Sequence, residues 1–537
     1  MYVKRQASTY SNFAYELMNR AFLIVRFSGF IVLLSWLSRC VEAAQVAQLP
    51  TFSFDELKTL SAEADPGKPL SEKLDRLLHS VEVGSFAGGK SGKPVRPIES
   101  STPVLRATMW NIERGQEFDP ITVSLKNPQG FYKLCTKREL KPDRLALIKE
   151  EAELLSQSDL LILNEVDSGM KRSEYHDVAR ELAAALRMNY AYAVEFVEVD
   201  PVALGVEVLD ETPLEEEMKV DPKRYKGLHG SAILSRYPLK NVKVLRLPVC
   251  HDWYADESKP VPKIEKLKRL GSEKAFLEAI AQERRRGGRI AIVADLAVPE
   301  APGGIITVVN AHLENKCRAR CRVEQMNYVL ENVQNTSGAL ILAGDMNTTG
   351  ADGSILSFSY IVKTKLRDPR FWAGQVVNYV NPLNLYGLGT GVRYFHGYGD
   401  PTRRDLPVLA NNREYAFFDT LRKFQFHDGT AFDFSGYKQW TVNRTSGTLA
   451  NSNQRAAKGF TYTFSLPRDF KGVIGRYRLD WFFVKPPASS SAEPEGRFLR
   501  PQFPRTMQAL NQGLAQRLSD HAPITVDLPL VKGMSGK

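Results

Sequence analysis

Residues 159–167 read Asp-Leu-Leu-Ile-Leu-Asn-Glu-Val-Asp. The apolar run at 160–163 is too short for a helix, and unbroken runs of this kind belong to strands covered on both faces. The polar residues after it stand where such a strand leaves its sheet. Upstream, Leu145, Ile148, Ala152 and Leu155 recur at helical spacing behind Pro142, which predicts a helix over 143–157. Residues 104–110 form another strand-like run, and Val178, Leu182 and Leu186 stripe a further helix. Downstream, apolar runs at 232–234, 289–296, 305–313, 339–343, 479–484 and 524–528 predict more strands. Strands interleaved with helices in this order make a layered α/β fold.

Three polar or aromatic stretches interrupt the pattern, roughly at 197–228, 251–288 and 349–476, and the last is long enough to require structure of its own. Ahead of the α/β region, residues 44–103 are expected to be a helical extension leading into a flexible linker. Leu57, Leu60, Leu74, Leu77 and Leu78 are the extension's apolar positions, and the linker starts at Gly84. The α/β region itself runs over 104–530, leaving a tail at 531–537.

The chain has 537 residues, 43% hydrophobic and 25% charged, which is ordinary globular composition and excludes wholesale disorder and collagen-like repeats. Lys and Arg number 72 against 61 Asp and Glu, a net charge of +11 that favours anionic partners. The uncharged run 27–38, Phe-Ser-Gly-Phe-Ile-Val-Leu-Leu-Ser-Trp-Leu-Ser, comes after a basic N-terminus and precedes the small-residue site Val41-Glu42-Ala43. It reads as a secretory signal over 1–43 cleaved before Ala44, with an uncleaved anchor as the alternative. Export, to the periplasm or outside the cell, puts Cys135, Cys250, Cys317 and Cys321 in an oxidising compartment. Cys317 and Cys321 are near enough in sequence to close a small loop; four unpaired thiols is the other reading. No cysteine has zinc-site spacing.

The decisive pattern lies at the strand ends. One strand runs into Asn111-Ile112-Glu113, and the strand at 160–163 into Asn164-Glu165-Val166-Asp167. Others run into Asn310-Ala311-His312-Leu313-Glu314-Asn315 and Gly344-Asp345-Met346-Asn347. Near the end come Arg478-Leu479-Asp480 and Ser519-Asp520-His521-Ala522-Pro523. An Asn after a strand is ordinarily a turn former and a lone Asp-His pair a capped turn. The ordered set is another matter.

Taken together, these motifs resemble those of the endonuclease/exonuclease/phosphatase superfamily, over about 104–528. Glu113 stands where several members carry Asp, and the segment at 312–315 is similar to the histidine version of one where apurinic endonucleases use Tyr. The resemblance implies a four-layer α/β sandwich, two packed sheets flanked by helices, with the site at one edge. It also implies a hydrolase of phosphate esters that uses Mg²⁺ or Mn²⁺ and no organic cofactor, and a monomer is expected.

Glu165, with Asn111 and Glu113 beside it and Asp520 as a further carboxylate, supplies the hard oxygen donors such ions need. His521 is the candidate general base, because imidazole titrates near neutrality, and Asp480 its orienting partner. Asp345 and Asn347 are expected to position the attacking water and the phosphate, and His312 and Asn315 to donate to its anionic oxygens.

The substrate stays open among three classes. A nuclease fits the charge and the aromatic and basic residues Tyr386, Arg393, Tyr394, Phe395, Tyr398, Arg403 and Arg404. A sphingomyelinase-like phospholipid diesterase fits export, and an inositol or nucleotide phosphatase comes third. An inactive binding module would have shown itself by loss of Glu165, Asp480 or His521, and all three are present. The aromatic and acidic run at 417–434 is expected to close a small core inside the long insertion.

Overall fold

The computed structural model describes residues 49–86, 103–199, 220–259, 283–349, 400–402, 412–456, 459–467, 475–488 and 499–530. The N-terminal address at 1–43, the aromatic and basic run from Tyr386 to Arg404 and the tail lie outside them, apart from residues 400–402. Among the described residues no helix is long and apolar enough to cross a membrane.

Two sheets carry the fold. Among the described residues the first has eight strands. They are β1 (Val81–Ser85), β2 (Val104–Arg114), β3 (Leu160–Ser168), β4 (Asn189–Glu198), β5 (Leu228–Ser235), β7 (Arg285–Gly287), β14 (Gln502–Thr506) and β15 (Ile524–Pro529), in the order β1-β4-β5-β3-β2-β15-β14 with β7 on β4. The second, in the order β13-β10-β9-β8-β6, is built from β6 (Leu239–Arg246), β8 (Ile290–Ala297), β9 (Ile305–Ala311), β10 (Ala339–Asp345) and β13 (Asp480–Lys485). A hairpin of β11 (Phe464–Ser465) and β12 (Arg476–Tyr477) stands beside them.

Alternation along each strand explains the unbroken apolar runs. Leu105, Ala107 and Met109 of β2 and Leu160 and Ile162 of β3 face the second sheet, meeting Ile292, Val308, Ile341 and Phe482. Their neighbours Trp110, Leu161 and Leu163 face outward into a layer of helices that includes Pro142–Ser156 and Val178–Leu186. The second sheet's outer face, with Val309, Leu342, Trp481 and Phe483, is covered by Ala319–Val333 and Tyr415–Lys423. Helix, sheet, sheet, helix: this is the expected four-layer sandwich.

Three expectations are corrected. The N-terminal extension does not stand apart. Its helices Phe54–Ala62 and Lys68–Leu78 bury Leu57, Leu60 and Leu77 in the first sheet's outer layer. The supposed linker residues Gly84 and Ser85 belong to β1, which pairs with β4. The aromatics of 417–434 do not close a core of their own either. Phe417, Phe418 and Phe432 pack on Trp481 and Phe483, with Phe426 against Phe432, because that face of the second sheet is apolar and needs a cover. Third, Cys321 pairs with Cys250, 71 residues away, and not with Cys317; Cys135 and Cys317 are buried thiols. The segment after β6 is held over the helix that carries Cys321, with Gln325 donating to the Pro248 carbonyl at 3.0 Å.

Glu151 in the helix Pro142–Ser156 is buried and accepts the Leu510 N–H at 2.6 Å. Burial pushes its carboxyl up to about 8 from an ordinary 4.5. The folded chain therefore keeps this proton where the unfolded chain has released it, so stability falls as pH rises from about 4.5 to about 8. Glu151→Gln, which keeps the acceptor and loses the titration, is expected to remove a loss on the order of 1–4 kcal/mol across that window. Urea midpoints of the two proteins at pH 5 and pH 8 check this; parallel pH dependence in both would contradict it.

Candidate active site

Strand direction decides which residues meet. β2 and β3 run parallel, as do β9 and β10, so Asn111, Glu165, His312 and Asp345 all leave the sheets at the same edge. β13 runs antiparallel to β10 with Asp480 opposite Asp345. β15 runs antiparallel to β2, which sets the residues just before it, Ser519 to Pro523, beside Asn111. Four strand ends and two strand beginnings thus converge.

Polar side chains join the two sheets there. Asn164 donates to Ser231 at 2.9 Å and to Asn310 at 2.8 Å, and accepts the Asp345 N–H at 2.8 Å. Asn310 in turn donates to the carbonyls of Leu163 and Ala232. Gly344 (φ +152°) lets β10 press against β9 just before Asp345; a Cβ there would lie 1.8 Å from the Ala311 carbonyl oxygen. Glu113, Glu165 and Asn347 hold φ of 47°, 51° and 48°, a left-handed backbone that non-glycine residues adopt at a cost of order 1–3 kcal/mol. Register shifts in the β2–β3 and β3–β5 ladders accompany the first two. The bulges turn these carboxylates out of the sheet's alternation.

Asn111 is the hub. Its Nδ2 donates to Glu165 Oε1 and to Asp345 Oδ2, each at 3.1 Å, while its Oδ1 accepts the Glu113 N–H at 3.1 Å. Asp345 Oδ2 lies 3.7 Å from His521 Nε2 and 3.9 Å from His312 Nε2. On the other side of the ring, His521 Nδ1 meets Asp480 Oδ2 at 2.7 Å. His521 is fixed further by Trp110, which donates to its carbonyl at 2.9 Å, and by the ring of Phe464, 5.1 Å away edge-on. Ser519 accepts the His521 N–H and donates to the Asn111 carbonyl, tying the two strands' ends together.

The remaining candidates fall around this centre. Glu113 accepts the Asp520 N–H at 2.6 Å and stands 3.5 Å from Arg517. Asp520 Oδ1 is 4.0 Å from His521 Nε2. Asn347 donates to the Leu313 carbonyl at 2.9 Å, so one amide hydrogen is already engaged. His312 sits deeper, 1% exposed, with its Nδ1 3.0 Å from Glu195 and the ring 2.9 Å from Arg289. Asn315 accepts from Arg289 at 3.3 Å and stays half-buried.

Sequence reasoning missed Glu195, which lies inside β4 with nothing to set it apart, and Arg289, which begins a strand. Together they brace His312. Asn164, Asn310 and Ser519 stood inside the strand-end motifs, and their polar character at those positions was the available signal.

Charge at the site is unbalanced. Burial raises Glu113 to about 7, helped by repulsion from Asp520 and Glu165. Asp520 is raised by burial and by Glu165 and Asp345. Burial also works against ionised Glu165, but Arg114 (3.9 Å away) and the histidines 312, 229 and 521 outweigh it and hold that carboxyl far below the usual range. For His521 burial opposes the charged ring, yet Asp480, Asp520 and Asp345 raise it well above ordinary histidine. Carboxylates crowded so closely repel one another, and a hard divalent cation is the group whose charge and oxygen preference match them. Ligand atoms of Asp345, Asp480 and His521 also lie within 4.8 Å of one another. In that trio the Asp480 bond engages His521 Nδ1.

The chain belongs to the endonuclease/exonuclease/phosphatase family, whose sequence profile matches residues 110–521. That places it among metal-dependent phosphoesterases and nucleases. No curated protein matches it in sequence. Similar solved structures include an endonuclease/exonuclease/phosphatase from Beutenbergia cavernae, 16% identical with a TM-score of 0.33 over 80% of this chain and 72% of that one. The human Nocturnin catalytic domain with bound sulfate is 15% identical (TM-score 0.33, 79% and 93% covered). A 3'-5' exonuclease from Neisseria meningitidis is 14% identical (TM-score 0.34, 79% and 99% covered).

Proposed function

We propose that this protein is a phosphodiesterase that hydrolyses nucleic acid, with Mg²⁺ or Mn²⁺ held by Glu165, Asn111 and Glu113 and with Asp520 nearby. The observation that carries the reading is the chain of contacts from Glu165 through Asn111 and Asp345 to the His521–Asp480 pair. When bound, the divalent ion supplies Lewis-acid polarisation of the phosphoryl group and steadies the leaving alkoxide.

The chain's own residues do the rest. With a bound cation offsetting the carboxylates that otherwise keep its ring charged, His521 Nε2 removes a proton from the attacking water, and Asp480 orients the ring through Nδ1 and stabilises the imidazolium that forms. Asp345 and Asn347 hold that water. His312, braced by Glu195 and Arg289, and Asn315, whose oxygen is tied to Arg289, face the phosphate's anionic oxygens.

Nucleic acid is favoured by the +11 net charge and by the surroundings of His521. Phe464 packs beside Tyr477 at 6.2 Å, and Arg476 stacks on Tyr462 at 4.7 Å, all half-buried. Aromatic and basic groups next to a phosphoryl site suit a base and its backbone. Phe464→Ala is therefore expected to raise KM for single-stranded DNA by about 10-fold, the worth of one stacked base. KM for bis-p-nitrophenyl phosphate should move far less, and an equal rise on both substrates would remove Phe464 from base recognition.

Export belongs to the same proposal. The Cys250–Cys321 disulfide supports it, since such bonds persist in oxidising compartments.

The test is a panel of plasmid DNA, single-stranded DNA, RNA, sphingomyelin vesicles, inositol phosphates and bis-p-nitrophenyl phosphate, each with Mg²⁺, Mn²⁺, Ca²⁺ or EDTA. Metal-dependent cleavage of nucleic acid is expected. Preference for vesicles or inositol phosphates would move the substrate class, and cleavage that survives EDTA would overturn the mechanism.

A further inference from the structure

Behind the active site, three sulfurs stand together: the Sγ atoms of Cys250, Cys317 and Cys321 all lie within 4.8 Å of one another. Cys250 and Cys321 form the disulfide, and Cys317 is a buried thiol. We propose that Cys317 exchanges with this disulfide, displacing Cys321 and giving a second covalent form of the protein tied by Cys250–Cys317.

The step balances within the molecule. Cys317 loses its proton and its sulfur bonds to that of Cys250 as the Cys250–Cys321 bond breaks. The electron pair goes to Cys321, whose thiolate takes up a proton, so no oxidant or reductant is consumed.

Both ends of the exchange are prepared electrostatically. Arg322, 2% exposed, places Nη1 3.5 Å from the Cys317 sulfur, where its charge favours the attacking thiolate. Cys321 is the third residue of the helix Ala319–Val333, and the positive end of that helix stabilises the thiolate that leaves.

Topology selects this product over the other one. The rings closed by Cys250–Cys321 and Cys250–Cys317 differ by only four residues in a separation of 71, so closing either restricts the chain almost equally. A Cys317–Cys321 bond would instead close a very short loop and release the segment after β6. In either favoured form that segment stays docked through Trp253, which donates to Glu314 at 2.9 Å. In the form described here the Cys317 thiol also donates to the Glu314 carbonyl at 3.3 Å. Glu314 in turn lies 3.6 Å from Arg289, which braces His312.

The sequence decides the protease. Trypsin would release both cysteines as the same Cys-Arg dipeptide, so the digest is made with a glutamyl-specific protease. Cleavage after Glu314 and Glu324 keeps Cys317 and Cys321 on one peptide, and fragmentation between them shows which one is bonded to Cys250 and which carries the label. Full-length protein purified without reductant is held at pH 8, quenched in acid, blocked with N-ethylmaleimide, digested and mapped by mass spectrometry without reduction. Both Cys250–Cys321 and Cys250–Cys317 peptides are expected, in amounts within about tenfold of each other because ring size hardly separates them. Folded Cys321→Ser is expected to carry Cys250–Cys317 throughout, and Cys317→Ser to show the single original bond. Wild-type protein that yields only Cys250–Cys321 at every time point would overturn the proposal, as would folded Cys321→Ser with Cys250 and Cys317 both alkylated.

Discussion

Replacing His521 with alanine is expected to lower kcat by about 10²- to 10⁴-fold, the usual contribution of a positioned base. The ring is 3% exposed, 2.7 Å from Asp480 and 3.7 Å from Asp345, so no neighbouring side chain can take over both contacts. Its loss also strands the buried Asp480 carboxylate, and a lower melting temperature should accompany the rate effect. Rates are therefore compared well below that melting temperature, with circular dichroism showing a folded variant. Asp480→Asn supplies the companion result. It preserves size but removes the charge that offsets the imidazolium, and it should lose most of the same factor. Near-wild-type turnover in folded His521→Ala would end the assignment of the base.

Glu165→Gln is expected to have a comparable effect by a different route. The carboxylate is held ionised by Arg114 and the surrounding histidines, and it shares the Asn111 amide with Asp345. Removing its charge takes away the principal anionic donor while leaving shape and the strained backbone unchanged. Groups that merely orient a metal ligand are worth about 10- to 100-fold in affinity or activity, and a ligand should exceed that. The readout is the Mn²⁺ concentration for half-maximal hydrolysis of bis-p-nitrophenyl phosphate. A rise beyond about 100-fold supports the role, whereas an unchanged Mn²⁺ requirement would assign Glu165 to structure alone.

Much of this centre was legible because its functional side chains flank apolar strands, Asp480 and His521 at or just before the start of theirs and the others where theirs stop. Asn111, Glu165, His312 and Asp345 sit where a continuous hydrophobic run stops, and parallel pairing then does the gathering. What escaped reading depends on partners distant in sequence. Glu195 lies inside β4, and only the fold reveals that it meets His312, which is 117 residues away. Arg289 begins a strand and looks like an edge charge, yet it is buried against Glu195. The cysteines misled for a related reason: sequence proximity offered Cys317 with Cys321 or four unpaired thiols, while the path of the chain after β6 delivered Cys250. The long insertion was read as self-contained because its aromatics cluster in sequence, whereas the uncovered face of the second sheet receives them.

The most direct test of the central claim is the position of Mn²⁺ located by anomalous X-ray scattering from crystals grown with that ion. The account predicts a peak touching a Glu165 oxygen, with Asn111 beside it and His521 still bonded to Asp480. A peak between Asp480 and His521 with Glu165 left bare, or one remote from both, would contradict it.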